Sequence, residues 1–325
     1  MRSSLIKRGL GLALSCAMVF GLVACGQKAG EKPAKESDNG SKQTQTAAKD
    51  GGQTQGSSGS EAPAQEAQAT KRVVAGTVAI SQILDKLGYK QVVGVPDSQY
   101  DLGSYKEVQR IGKPMTPDAE VIKTLNPDIF FSEQTLKEST EKSLANLKIE
   151  SDFLDLSNYD AILASIEKLG KSLGMEQAAQ KLNGEIQAKA EAAIKKGEGK
   201  QAPKVLFLFG TPKSIMVGSG KSYVGSLLKK LNIPQIQAEL PQPYAPLSLE
   251  NVVSENPDVI LVMSHVDPET SKKMVQATFD KNEAMKNVAA VKNDKVVYLN
   301  EKIFSVTGNV HVGEALEELV QIAYD

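Results

Sequence analysis

Cysteine and histidine are scarce in this sequence, and their scarcity narrows the chemistry it can support. Among 325 residues there are two Cys and two His. Cys16 is expected to leave with an N-terminal signal peptide, so Cys25 keeps no partner for a disulfide bond. His265 and His311 stand far apart in the sequence, whereas a zinc or manganese site normally needs three or more converging ligands. The two residue types therefore establish neither a disulfide framework nor a clustered metal site.

Common catalytic and nucleotide-binding motifs are also missing. The sequence has no H-E-x-x-H zinc motif and no G-x-S-x-G nucleophile elbow. Gly220-Lys-Ser222 resembles the end of a phosphate-binding loop, but that loop requires Gly at the position of Ile215. The formal net charge of −1 argues against a nucleic-acid partner. The sequence therefore predicts a binding protein and not an enzyme.

The N-terminus has the pattern of an export signal. Basic residues precede an uncharged run over residues 9–20, which is too short for a comfortable membrane span. Leu22-Val-Ala-Cys25 resembles the lipobox of bacterial lipoproteins, so we predict a signal peptide over 1–24 and lipid on Cys25. Residues 25–70 are rich in Gly, Ser, Gln and Lys and poor in apolar residues. This composition predicts a disordered tether.

Two stretches repeat one pattern 130 residues apart, at 118–130 (DAEVIKTLNPDIF) and 248–260 (SLENVVSENPDVI). Each begins with a helix-capping residue, followed two positions later by Glu120 or Glu250. A short amphipathic helix then ends at Asn-Pro-Asp, and an apolar strand begins. The pattern indicates an internal duplication.

One long helix is predicted between the two copies. The stretch from 175 to 196 contains no Pro and is rich in Ala, Glu, Lys and Gln, and its apolar residues recur along one helical face. We therefore predict an N-terminal lobe over 71–174, a linking helix over 175–199 and a C-terminal lobe over 200–325. In this arrangement a cleft would lie between the lobes.

Strands alternate with helices in both lobes, which predicts an α/β fold with mostly parallel sheets. We predict strands at 72–75, 91–95, 128–132, 152–156, 204–209, 215–217, 259–263 and 295–299. We predict helices at 78–87, 136–147, 159–173, 223–231, 249–255, 268–279 and 313–324. Ligands of such sheets lie beyond the carboxyl ends of the strands, which here would face the cleft.

Two side chains are placed to hold a ligand in that cleft. His265 follows the apolar strand at 259–263, and Met115 lies between Pro114 and Pro117 in a segment without helical or strand periodicity. A histidine at a strand end is often a structural residue, and most methionines fill cores. Alternatively, a thioether from one lobe and an imidazole from the other could clamp one metal centre. Met and His form a known axial pair for haem iron.

At these residues the sequence resembles the substrate-binding lipoproteins of bacterial haem importers, of the iron-regulated surface determinant type. The resemblance covers nearly all of 72–324. It rests on Thr77-Val-Ala, Gly94-Val-Pro96, Gly112-Lys-Pro-Met-Thr-Pro-Asp118, Ser222-Tyr-Val-Gly225, Asn256-Pro-Asp-Val-Ile260, His265 and Thr307-Gly-Asn309.

The resemblance implies two Rossmann-like lobes bridged by one long helix, with haem as the transported ligand. It implies that Met115 and His265 ligate the haem iron. His311 departs from the family pattern and is an alternative ligand. The resemblance also implies a monomer, anchored by lipid to the outer face of the cytoplasmic membrane, that serves an ABC permease and its ATPase. In the family, acids at the positions of Glu120 and Glu250 meet basic residues of the permease.

Other ligands remain open from the residues alone. Anionic siderophores are commonly held by several arginines, and the sequence beyond the signal has only Arg72 and Arg110. Cobalamin or another iron chelate needs fewer charges, and a haem-sensing or adhesive lipoprotein without a transporter is a second class of function. For a haem propionate, the predicted contacts are the helix start at Thr77, Val78 and Ala79, with Tyr105 and Lys106 as side-chain contacts.

Overall fold

The first lobe is organised around a parallel sheet whose strands lie in the order β2 (Val92–Gly94), β1 (Val73–Ala75), β5 (Ile129–Glu133) and β6 (Glu150–Leu154). The structure is a computed structural model that describes residues 70–264 and 267–324. The predicted signal peptide and Cys25, the tether up to residue 69, and His265 lie outside the described residues. The elements of this lobe are β1 (Val73–Ala75), α1 (Val78–Leu87), β2 (Val92–Gly94), a 3-10 turn (Gly103–Tyr105), β3 (Gly112–Lys113), β4 (Thr116–Pro117), α2 (Ala119–Leu125), β5 (Ile129–Glu133), a second 3-10 turn (Gln134–Leu136), α3 (Lys137–Ser143), β6 (Glu150–Leu154) and α4 (Tyr159–Leu173).

A linking helix and a second sheet complete the described chain. In this sheet the strands lie in the order β11 (Val296–Tyr298), β10 (Val259–Ser264), β7 (Val205–Gly210), β8 (Ile215–Gly218) and β9 (Tyr244–Pro246). The elements are α5 (Glu176–Gly197), β7 (Val205–Gly210), β8 (Ile215–Gly218), α6 (Tyr223–Lys230), β9 (Tyr244–Pro246), α7 (Leu249–Glu255), β10 (Val259–Ser264), α8 (Pro268–Asp280), a 3-10 turn (Glu283–Asn287), α9 (Ala289–Lys292), β11 (Val296–Tyr298) and α10 (Val312–Tyr324). None of the helices in the described part of the chain is both long and apolar enough to span a membrane.

The linking helix α5 packs against α1 and α4 of the first lobe and α10 of the second. Its buried face consists of Ala179, Leu182, Ile186, Ala190 and Ala193, close to the predicted stripe. One continuous apolar cluster includes this face together with buried residues of both lobes. The lobes therefore share a core through the helix that joins them.

The structure explains the duplicated Asn-Pro-Asp motif. Asn126 and Asn256 end α2 and α7 with a left-handed backbone, each at φ 45°, a conformation that Asn tolerates better than most residues. The aspartate that follows accepts a hydrogen bond from the backbone N–H just before the first strand of its own sheet. These bonds run from Arg72 to Asp128 at 2.6 Å and from Lys204 to Asp258 at 2.8 Å. The motif thus ties the end of one helix to the start of a central strand in each lobe.

Some strand predictions were wrong. β6 begins at Glu150 and ends at Leu154, two residues earlier than predicted. The short strands β3, β4 and β9 were not predicted. The second sheet is mixed, because β8 runs antiparallel to both β7 and β9.

Candidate ligand-binding site

Met115 lies at the turn of the β3–β4 hairpin and projects into solvent. Its side chain is 64% exposed. Among the large apolar side chains in the described part of the chain, Val306 is the other exposed one, at 36%. Since exposing a large apolar side chain gains nothing for folding, Met115 is available to a ligand.

The hairpin that carries Met115 is fixed to the carboxyl end of β2. Ile111 N–H donates to the Val95 carbonyl at 3.0 Å, and Asp97 N–H donates to the Gly112 carbonyl at 2.8 Å. Asp118 N–H closes the base of the hairpin on the Ile111 carbonyl at 2.7 Å. Gly112 has φ 86°, a backbone conformation that favours glycine. The thioether is therefore presented from an anchored turn.

The N-terminus of α1 directly follows β1 and offers backbone donors at the same edge of the sheet. The hydroxyl of the capping residue Thr77 accepts from Ile80 N–H at 3.3 Å. Within the described residues, the N–H groups of Val78 and Ala79 meet no acceptor, as is usual in the first turn of a helix. Such groups favour an anion, so this turn fits the predicted propionate contact.

The two predicted side-chain contacts differ in their surroundings. The Lys106 ammonium is well exposed and lies 3.6 Å from the Asp101 carboxylate. Tyr105 is buried, and its hydroxyl donates to the Tyr89 carbonyl at 2.6 Å; burial raises its pKa. A propionate contact at Tyr105 would require this hydrogen bond to be exchanged. Lys106 is therefore the better placed of the two.

His265 follows β10, whose last residue, Ser264, pairs with Gly210 of β7. The Ser264 hydroxyl is buried and has no hydrogen-bond partner among the described residues. The position of the His265 side chain itself is not described.

His311 lies just before α10, on the side of the linking helix. Glu314 of α10 forms an ion pair with Lys189 of α5. Burial raises the pKa of Glu314, but the hydrogen bond and charge of Lys189 contribute to a net lowering. Neither Glu314 nor Lys189 belongs to the hairpin that carries Met115 or to β10, the strand that leads to His265. In the described ranges, no group of three or more His, Cys, Asp and Glu side chains is arranged to hold a metal ion.

One site residue, Glu133, was not predicted from the sequence. It is the last residue of β5 and is only 8% exposed. Burial raises the pKa of its carboxyl group, while side-chain hydrogen bonds with Thr307 and Thr77 act in the opposite direction. The available signal was a glutamate at the carboxyl end of an apolar strand, close to the kind of position that drew attention to His265.

The described sequence matches the model of the periplasmic binding protein family over residues 73–303. The chain belongs to this family. A curated relative is the high-affinity heme uptake system protein IsdE of Staphylococcus aureus, 35% identical over 255 residues that span 78% of this chain and 87% of the relative.

Solved structures give the same family relationship. The crystal structure of S. aureus IsdE complexed with heme is 34% identical, with a TM-score of 0.73, and the match covers 79% of this chain and all of that one. An ABC transporter substrate-binding protein from Listeria monocytogenes EGD-e is 33% identical, also with a TM-score of 0.73 and the same coverage. The expected fold, two α/β lobes joined by a long helix, is confirmed for this family member.

In this periplasmic binding protein the paired glutamates occupy matching places. Glu120 lies in the first turn of α2 and Glu250 in the first turn of α7, and both are exposed. Neither forms an ion pair with another residue in the described part of the chain. The helix dipole favours carboxylates in the first turn, so stabilisation of α2 and α7 also explains why glutamates occupy these positions.

Proposed function

We infer that this chain is a haem-binding receptor that supplies an ABC importer. Its relatives include a heme uptake protein and an ABC transporter substrate-binding protein, each at about one third identity and with nearly the whole folded part covered. These relatives are binding proteins and not enzymes, in agreement with the missing catalytic motifs. The inferred role is to capture haem and to pass it to the transporter.

The exposed Met115 carries the ligand assignment. A thioether held on an anchored hairpin at the carboxyl edge of the sheet is an apolar contact and a soft iron ligand in one group. We propose that Met115 and His265 bind the two axial positions of the iron. The free N–H groups at Val78 and Ala79 would receive a propionate, and the exposed ammonium of Lys106 is a further proposed contact.

The arginines favour haem over an anionic siderophore. Arg72 donates to the carbonyls of Asn126 and Leu125 at 3.1 and 2.7 Å. Arg110 donates to the carbonyls of Pro96 and Lys106 at 3.3 and 2.9 Å. Both guanidinium groups are thus engaged in holding backbone, whereas siderophore carboxylates or catecholates call for arginines that face the ligand. Cobalamin remains the alternative ligand that this observation does not address.

We propose that Glu120 and Glu250 dock to basic residues on the two permease subunits. This proposal is supported by the repeated position of the two glutamates and by the exposure of both. We further propose that residues 1–24 are removed, that lipid on Cys25 anchors the monomer to the outer face of the cytoplasmic membrane, and that 25–70 act as a tether. These proposals rest on the sequence patterns.

An absorption spectrum of the purified protein, recorded with and without added haem, tests the ligand. We expect a six-coordinate low-spin spectrum in the wild type and the largest loss of affinity in His265→Ala. The matched control is His311→Ala, which should bind haem normally because His311 lies just before α10, the helix whose Glu314 pairs with Lys189 of the linking helix. Loss of haem in the His311 variant, with binding kept in the His265 variant, would reverse the assignment. Binding of cobalamin with no haem spectrum would favour the alternative ligand.

A further inference from the structure

The loop 305–309 of the second lobe reaches across to the first lobe. Gly308 N–H donates to the carbonyl of Leu156, which follows β6, at 2.7 Å. The Thr307 hydroxyl donates to the carboxyl group of Glu133, at the end of β5, at 2.6 Å. Two neighbouring residues of one lobe therefore bind the carboxyl edge of the sheet in the other lobe.

The sequence of this loop fits the crossing. A Cβ atom at Gly308 would lie 2.2 Å from Ile162 Cδ1 and 2.8 Å from Tyr223 Cε2, so any larger residue would force these side chains to move for the loop to approach. Asn309 fixes the loop from within its own lobe: its amide donates to the Ile303 carbonyl at 3.2 Å, and its side-chain oxygen accepts from His311 N–H at 2.8 Å. The Thr-Gly-Asn sequence thus holds the loop in place for the contact with the first lobe.

Glu133 connects the loop to the helix start that offers anion-binding donors. Its carboxyl group accepts a hydrogen bond from Thr307 of the second lobe. It also lies next to Thr77, the capping residue of α1, because β5 pairs with β1 and places Phe131 opposite Ala75, two residues before Glu133 and Thr77. Burial has the largest effect on the pKa of Glu133 and raises it, the hydroxyl groups of Thr307 and Thr77 lower it, and no charged neighbour contributes. Desolvation favours the neutral acid. Burial of Glu133 therefore disfavours a negative charge beside Thr77, where an anion is to bind.

We propose that the Thr307–Glu133–Thr77 contacts form a clasp that joins the lobes and positions the α1 N-terminus for the anionic part of the ligand. Glu133 and Thr307 act in this clasp as positioning residues. The part of the proposal that concerns the ligand rests on the proposed haem function, whereas the joining of the lobes does not.

The first experiment uses the ligand-free protein. Glu133→Met and Thr307→Val remove the polar groups and keep a similar side-chain size. Together with the double variant they form a double-mutant cycle. If the two residues bond in solution, their effects on the unfolding equilibrium constant should be coupled by roughly two- to tenfold, the range of one hydrogen bond. The Gly308 amide should also exchange with solvent at least about threefold faster in Thr307→Val, while that of Ile186 in α5 should not change. Additive effects with unchanged Gly308 exchange would overturn the clasp.

The second experiment measures the rate of haem dissociation. Thr307→Val should release haem roughly three- to tenfold faster, whereas Thr307→Ser, which keeps the hydroxyl group, should release it at the wild-type rate. Glu133→Gln should also stay close to wild type, because a neutral amide can bond both hydroxyl groups. Equal rates in all variants would overturn the positioning role. If the wild type binds no haem, the proposed function fails, and the ligand-free cycle still decides whether the clasp exists.

Discussion

Replacing Met115 with alanine should leave the fold nearly as stable as before and still change the haem site. About a third of the Met115 side chain is covered, because 64% of it is exposed. Full burial of a methionine contributes about 1.5–3 kcal/mol, so the covered third contributes at most about 1 kcal/mol. The thioether, in contrast, is the whole of the proposed iron contact from the first lobe.

A buried methionine of the same chain is the matched control. Met285 is 0% exposed and lies in an apolar cluster with Phe279 and Val288. Met285→Ala should cost about 2–5 kcal/mol, because it removes buried methylene groups and leaves a cavity. The free energies of unfolding of the two ligand-free variants, measured with denaturant, should therefore differ by at least about 1 kcal/mol.

In the haem-loaded protein, Met115→Ala should change the absorption spectrum more than Met285→Ala does. Met115→Ala should keep haem through His265 but lose the six-coordinate low-spin spectrum and lower the reduction potential, since sulfur favours the ferrous state. Met285→Ala should keep the wild-type spectrum at temperatures where it is folded. An unchanged spectrum in Met115→Ala, or a loss of more than about 2 kcal/mol of stability, would refute the assignment of Met115 as a surface ligand.

Three further predictions concern other parts of the chain. Burial raises the pKa of Glu133 above its ordinary value of 4.5, so the folded state keeps a proton that the unfolded state has lost. The free energy of unfolding should therefore fall as pH rises from 4.5 towards the folded pKa, by up to about 1.4 kcal/mol per pH unit. Urea unfolding of Glu133→Gln should lack this part of the pH dependence, and a pH dependence identical to the wild type would contradict a buried acid at this position. Reversing the charge of both Glu120 and Glu250 should leave haem affinity unchanged and suppress cellular uptake; normal uptake would remove the docking proposal. Cys25→Ala should release or mislocalise the protein with ligand binding intact, which fractionation would show; retention in the membrane after signal cleavage would contradict the lipobox.

Local sequence signals predicted the bounds of several helices, although the helix predicted at 136–147 already ends at Ser143. The predicted bounds of α1, α4 and α7 match the structure because each helix starts at a capping side chain, namely Thr77, Asn158 or Ser248, that bonds the first turn. Gly88 and Gly174 end α1 and α4 in the left-handed conformation. These interactions lie within a few residues of one another, so the sequence displays them directly.

Features that depend on distant partners were harder to predict. The position of β6 is set by its pairing with β5, which places Glu150 beside Ile129, and its apolar residues alone did not fix that register. β9 is three residues long and exists because β8 pairs with it. The interaction of Glu133 with Thr307 joins residues 174 positions apart. No local pattern marks a glutamate that will be buried by a loop of the other lobe.

The shared core has a consequence for how a transporter reads this receptor. In a binding protein whose lobes close around the ligand, the change of shape distinguishes the loaded form from the empty one. In this chain the linking helix and one apolar cluster hold the two lobes together. With docking through Glu120 and Glu250, an empty receptor would present the same two carboxylates at the same spacing as a full one. Empty and full receptors would then compete for the same permease, and the supply of iron would depend on their ratio at the cell surface. The permease would then distinguish the loaded receptor from the empty one by the exposed part of the ligand.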